Sequence, residues 1–297
     1  TDIAHNTKLI ARYLKENCPH YHFVSPITSR DGEDMIYIKE EGFFRLFPFV
    51  KGSHTIDVVE TPEQAFEAAS QFGRFTKLLS GFNVNQLKTT IPSFHDLNMR
   101  YDQFLMALEQ GNSERKAQAS ELITTLLLQA SIVIDYKQLK KDPSFKVRVT
   151  HHDTKISNVL FNDAGKGLCV IDLDTVMPGY FISDVGDMMR TYLSPVSEEE
   201  KDFEKIEVRD DFYKAIVQGY YGEMKDELTE KEKGCFFYAG KFMIYMQALR
   251  FLTDHLNNDV YYGARYPGHN LIRAKNQTIL LQRLIEKEEA LAIYCSF

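Results

Sequence analysis

The feature that most narrows what this 297-residue chain can fold into is one β-rich interval set among helical signals. Within VTHHDTKISNVLFNDAGKGLCVIDLDTV, residues 149–176, the apolar runs VLFN and LCVIDLD flank a DAGKG turn, the pattern of a β-hairpin. The flanks are helical. Thr61 as N-cap with Pro62 at the first helical position opens EQAFEAASQFGRFTKLL, and helical periodicity continues to about residue 140, where Asp142-Pro143 breaks it. After the hairpin, residues 199–223, 228–257 and 270–290 again read as helices. No regular strand–helix alternation, internal repeat or flexible linker is present.

The N-terminal end has a different texture. Residues 5–17 place Leu9, Ile10, Tyr13 and Leu14 on one helical stripe. HFVSPI, MIYIKE and GFFRLFPFV follow as β-rich runs, which predicts an antiparallel hairpin over residues 34–50 with a shorter strand before it. The expected plan is therefore α+β: a small β-containing N-terminal lobe over residues 1–51, then a large, mainly helical lobe over 52–297 that carries the hairpin 149–176.

Composition excludes several classes. With 35 Lys+Arg against 42 Asp+Glu, a net charge of -7 repels polyanions, so nucleic acid is not expected as a partner. The most apolar helical window, Leu122 to Ile134, falls short of the roughly 20 residues of a membrane span and is expected to be a buried core helix. No signal peptide is legible, and four scattered cysteines without a CxxC pair fit a reducing cytoplasm. Nothing in the sequence points to an oligomeric state.

The hairpin collects three reactive side chains: Asp153, Asn158 five residues later, and Asp172 at the end of the second strand. Phosphoryl transfer needs such a set, with one carboxylate to take the proton of an attacking hydroxyl and two groups to hold Mg²⁺ against nucleotide phosphates. His151-x-Asp153-x4-Asn158 matches the HxDxxxxN catalytic loop of kinases, with Asp172 in the place of their metal-binding aspartate. Three other readings compete. A zinc site on His151, His152 and Asp153 would ask consecutive residues to converge on one tetrahedral ion. LCVIDLDTV also reads as the strand-DxDxT opening of an aspartate-nucleophile phosphatase, but that plan needs strand–helix units downstream, where this chain is helical. A hairpin whose polar residues merely cap turns explains one or two of these residues and not the set.

HHDTKISNVLF, VIDLDTVMPG and DVGDMMR together resemble the aminoglycoside phosphotransferase and choline kinase-like superfamily, a group with a two-lobe, protein kinase-like fold. Within it the chain is most similar to the N-acetylhexosamine 1-kinases, through DTK after the loop histidine, IDLDTVMPG, FFRLFPFVKG, FHDLNMRYDQF and the C-terminal LRFLTDHLNNDVYY…YPGHNLIRAKNQ. The resemblance implies ATP- and Mg²⁺-dependent phosphorylation of a small sugar. Asp153 would be the base, Asn158 and Asp172 the Mg²⁺ ligands, and Asp174 a second carboxylate near metal or sugar. His151 would hold the loop through its ring, and Asp184 and Asp187 would support it, although Asp187 could equally cap a helix starting near Gly186. The hinge Pro48–Val50 would meet adenine, with Phe47 or Phe49 either covering it or packing as plain core.

Acceptor choice rests on fewer residues. Arg250 interrupts the apolar run FMIYMQALRFL, where a cation is costly unless paired or functional. Asp254 at i+4 offers a simple salt bridge, whereas the resemblance favours a sugar contact, with Lys155 as a second cation beside the base. Two cations there disfavour a cationic acceptor and suit a neutral one, N-acetylglucosamine or N-acetylgalactosamine at the anomeric hydroxyl. Kinases of homoserine, methylthioribose or an amino alcohol, and a non-catalytic kinase-like binding protein, stand as alternatives. The chain shows no Gly-rich phosphate loop or strand lysine: Lys39 of MIYIKE is followed by a second strand and not by a helix. The expectation is that the first strands of the small lobe lie outside this sequence; otherwise the protein would be a weakened kinase relative.

Overall fold

The computed structural model describes residues 2–295. Strands are few and short. β1 (Ile36–Ile38) and β2 (Gly42–Phe44) form an antiparallel hairpin with Ile36 opposite Phe44. The hairpin expected over 34–50 is thus three residues deep, and HFVSPI forms no strand, held to the next segment by one Ile27 N–H bond to the Leu46 carbonyl at 2.7 Å. Pro26 and Pro48 remove ladder donors, and no core face holds the pairing, since Tyr37 and Phe43 are 62% and 68% exposed.

β3 (Ser53–His54) joins the predicted later hairpin, β5 (Val159–Asn162) with β6 (Gly167–Val170), in the order β3-β5-β6. Between them in sequence, β4 (Arg148–Thr150) pairs antiparallel with β7 (Met177–Gly179) on the far side of the hairpin. The segment 151–158 is therefore strung between two small sheets. β4 is anchored by a buried bidentate ion pair: Arg148 donates to both Glu232 carboxylate oxygens at 2.6 and 2.9 Å.

Helices supply the body. α1 (Asp2–Asn17) buries Ile10 and Leu14. α2 (Pro62–Leu78) opens on a capping box, with Thr61 accepting from Gln64 N–H while Gln64 reaches back to the Thr61 N–H. α3 (Leu97–Gln110) follows with Asp96 as its cap. After the short α4 (Ser113–Gln118), the expected core helix Leu122–Ile134 is instead divided between α5 (Ser120–Leu128) and α6 (Ser131–Leu139), with a turn at Gln129. It is also only partly buried: Leu126, Ile132 and Val133 face the core, whereas Leu128 is 78% exposed. Its apolar residues were too evenly spread to reveal a break marked by no Gly or Pro.

After the hairpin come α7 (Phe181–Tyr192), α8 (Asp210–Met224), α9 (Glu230–Lys233), α10 (Phe236–Leu256), α11 (His269–Glu286) and α12 (Glu288–Ala292). α10 is apolar on nearly all sides and accordingly central, packed by α7, α11 and α3. α7 approaches it closely through Gly186: a Cβ there would lie 2.3 Å from the Ala239 carbonyl oxygen. Among the described residues no helix is long and apolar enough to cross a membrane, no strand follows β7, and the cysteines are unpaired. The helical continuation removes the basis of the phosphatase reading.

Candidate active site

The loop after β4 is held in an unusual backbone conformation. His152 has φ +66°, a region that costs a non-glycine residue roughly 1–3 kcal/mol unless its surroundings fix it. The fixing group is Asp184 on α7. Its buried carboxylate accepts the His151 N–H at 2.9 Å and the His152 N–H at 2.8 Å, one on each oxygen. Asp187, one turn on, accepts the Thr154 N–H at 2.8 Å, and the Thr154 carbonyl takes the Tyr192 hydroxyl at 2.5 Å. α7 begins at Phe181, so Asp184 and Asp187 lie within the helix and the capping role considered for Asp187 does not arise. Burial pushes the Asp184 carboxyl up to about 7, against the pull of its two N–H partners.

The two histidines diverge. The His151 ring bonds the Ile171 carbonyl at 2.9 Å and packs on Phe72, tying the loop to the end of β6. The His152 ring lies 5.3 Å from that of His95, and burial pulls it down to about 4, so it is neutral at physiological pH. They share no common point at which a metal could sit.

Asp153, between them and Thr154, reaches the surface. Asn158 Nδ2 donates to the Asp153 carbonyl at 2.8 Å and to its Oδ2 at 3.1 Å, and Lys155 Nζ lies 3.1 Å from the same oxygen. Burial and the neighbouring Asp187 raise the Asp153 pKa, with Lys155 opposing them. Because a carboxylate only accepts, the Asn158 amide must turn its Oδ1 away from Asp153. The Asn158 backbone carbonyl also accepts the Ile171 N–H at 2.8 Å, which brings the residue beside Asp172. Asp172 is itself left-handed, φ 59° and ψ 63°, and its exposed carboxylate makes no hydrogen bond among the described residues. The hairpin thus gathers Asp153, Asn158 and Asp172 at one edge.

A cavity of about 500 Å³ adjoins that edge, lined by Phe47, Pro48, Phe49, Val50, Asp172 and Asp174 among others. Phe47 and Phe49 are 43% and 87% exposed, so neither is core. Asp174 is engaged by a residue the sequence reading passed over: Arg45 donates to its two oxygens at 2.6 and 2.5 Å, bridging the N-terminal segment to the hairpin. Its signal was available, as the lone cation in FFRLFPFV. Arg250 does not pair with Asp254, whose oxygens accept the Tyr261 and Tyr262 N–H groups and Asn270; it bonds Gln247 at 3.0 Å and lies near the rings of Phe94 and Tyr262. Arg190, linking Asp187 at 3.0 Å to Glu198 at 2.9 Å, is a second residue the sequence gave no reason to select.

This arrangement is a kinase-like fold: a small sheet-bearing part, a larger helical part, and a catalytic-type loop beside a paired hairpin. Residues 11–225 match the model of the phosphotransferase enzyme family (APH), and the chain belongs to that family. A solved aminoglycoside phosphotransferase from Alicyclobacillus acidocaldarius is similar over 97% of this chain and 84% of its own, at 13% identity and a TM-score of 0.62. A choline/ethanolamine kinase family protein from Mesorhizobium loti aligns over 99% and 83%, at 17% identity and 0.57. A spectinomycin phosphotransferase in complex with AMP aligns over 97% and 85%, at 14% identity and 0.58. At such identities the likeness is one of fold.

Proposed function

We propose that this phosphotransferase moves the terminal phosphoryl group of ATP to the anomeric hydroxyl of an N-acetylhexosamine, with Asp153 as the base. The observation that carries the reading is the convergence of Asp153, Asn158 and Asp172, each on a separately anchored piece of backbone. Asn158 Oδ1 and the unpaired Asp172 carboxylate suit Mg²⁺, which takes one or two protein oxygens and fills its shell with phosphate and water. Bound there, the ion would neutralise charge on the phosphates.

The chain's own residues account for the rest. The cavity beside Pro48–Val50 offers backbone groups and aromatic cover to a purine, consistent with the AMP held by the spectinomycin phosphotransferase. Asp153 Oδ2, oriented by Asn158, accepts the acceptor's hydroxyl proton, and its raised pKa strengthens it as a base. Lys155 keeps that carboxylate ionised and contributes positive charge where phosphate charge develops. Arg250, free of any carboxylate partner among the described residues, is available to acceptor oxygens. The cation Lys155 beside the base favours a neutral sugar over the amines that choline and ethanolamine kinases are named for.

The test is ATP consumption by the full chain against N-acetylglucosamine, N-acetylgalactosamine, other sugars and amino alcohols. Turnover with the N-acetylhexosamines is expected. Turnover confined to amino alcohols or other acceptors would overturn the substrate, and nucleotide binding without turnover on any acceptor would overturn the catalytic reading.

A further inference from the structure

The acceptor reading uses one guanidinium, yet the cavity that Arg250 faces holds two. This cavity, about 700 Å³ between α3 and α10, is lined by Arg100, Gln103, Arg250, Thr253, Asn257 and Tyr262, with Asp254 also on its wall. Arg100 bonds only neutral groups, the Gln103 side chain at 3.2 Å and the Phe94 carbonyl at 3.3 Å. Arg250 likewise bonds Gln247. In both, the Nε–H is buried without a partner, and so is the Thr253 hydroxyl.

No carboxylate forms an ion pair with either arginine among the described residues. Asp96, whose charge acts on Arg100, caps α3 and pairs with Lys140 at 2.9 Å, and Asp254 on the cavity wall accepts two backbone N–H groups and Asn270. Burial and the charge of Arg250 depress the Arg100 pKa, with Tyr261, Tyr262 and Asp96 opposing them. Partly buried guanidinium groups with unused donors are costly in isolation, and a planar or tetrahedral oxyanion between them satisfies both through charge-assisted hydrogen bonds.

We propose that Arg100 and Arg250 form an oxyanion site, with Thr253 as an additional donor. The oxyanion, a sulfate, phosphate or carboxylate group, is either a substituent of the acceptor remote from the hydroxyl phosphorylated or a free ion. The first source rests on the kinase reading above; the second does not.

Titration calorimetry of the full chain at constant ionic strength tests it with three probes: inorganic sulfate, N-acetylglucosamine and N-acetylglucosamine 6-sulfate. Saturable sulfate binding is expected, weakened about tenfold or more in Arg100→Gln, as loss of a hydrogen bond to a charged group implies. An acceptor-borne group shows as tighter binding of the 6-sulfate than of either other probe, an advantage lost in Arg100→Gln. A free-ion site shows as sulfate binding that is undiminished by saturating N-acetylglucosamine. Absence of saturable heat with both sulfate and the 6-sulfate, or unaltered binding in an Arg100→Gln protein with native circular dichroism, overturns the proposal. Intact sulfate binding in a protein inactive on every acceptor would refute the kinase reading alone.

Discussion

Asp184→Ala should injure the protein twice, and both effects follow from its two hydrogen bonds. The substitution leaves the His151 and His152 N–H groups buried without acceptors, each worth about 1–3 kcal/mol, so a loss of about 2–6 kcal/mol is expected. At about 2–4 °C per kcal/mol for a domain approaching this size, the melting temperature should fall by roughly 4–24 °C. Part of the cost is recovered as His152 leaves its left-handed backbone, so the loop relaxes and carries Asp153 away from Asn158. Activity should then fall by more than the folded fraction alone explains. Asp184→Asn keeps one acceptor but sets an NH₂ group against the other N–H, and should lie between. Thermal melts followed at 222 nm, with turnover measured well below the transition, check this. An Asp184→Ala protein that melts within a degree of wild type and turns over normally would refute the clamp.

Further predictions test other contacts. Lys155 favours the ionised form of Asp153, so Lys155→Met should raise the Asp153 pKa further and move the acidic limb of the kcat/KM profile to higher pH; a limb that stays or falls would contradict the pairing. Glu232→Gln keeps an acceptor for the cap of α9 but strands the buried Arg148, for a predicted loss of about 3–5 kcal/mol in urea unfolding, largely recovered in a paired Arg148→Met, Glu232→Gln protein. Arg45→Ala uncovers Asp174 on the wall of the cavity proposed to take the nucleotide; as this pair is part-exposed, nucleotide affinity should fall by up to about fivefold in calorimetric titration and return in Arg45→Ala, Asp174→Ala.

The site was legible where local sequence dictates geometry. The DAGKG turn fixes the β5–β6 hairpin, and hairpin pairing alone brings Asn158 beside Asp172. Thr61-Pro62 likewise placed the start of α2 through cap chemistry. What failed was of longer range or depended on exposure. The partners of Arg45 and Arg148 lie 129 and 84 residues away, and no local pattern announces them. MIYIKE and GFFRLFPFV have strong strand propensity, but without a buried face they pair over three residues only. Arg250 and Asp254 have salt-bridge spacing, yet backbone N–H groups of the following turn take the carboxylate first.

The central claim is that Asp153 is the base of a phosphoryl transfer to sugar. Its most direct test is the yield of phosphorylated N-acetylhexosamine from ATP by wild type and Asp153→Asn, with nucleotide binding measured in parallel. General-base catalysis contributes about 10²–10⁴-fold, so product formation should fall by that factor or more while the nucleotide still binds. Wild-type rates from Asp153→Asn, or no phosphorylated sugar from wild type, would contradict the account.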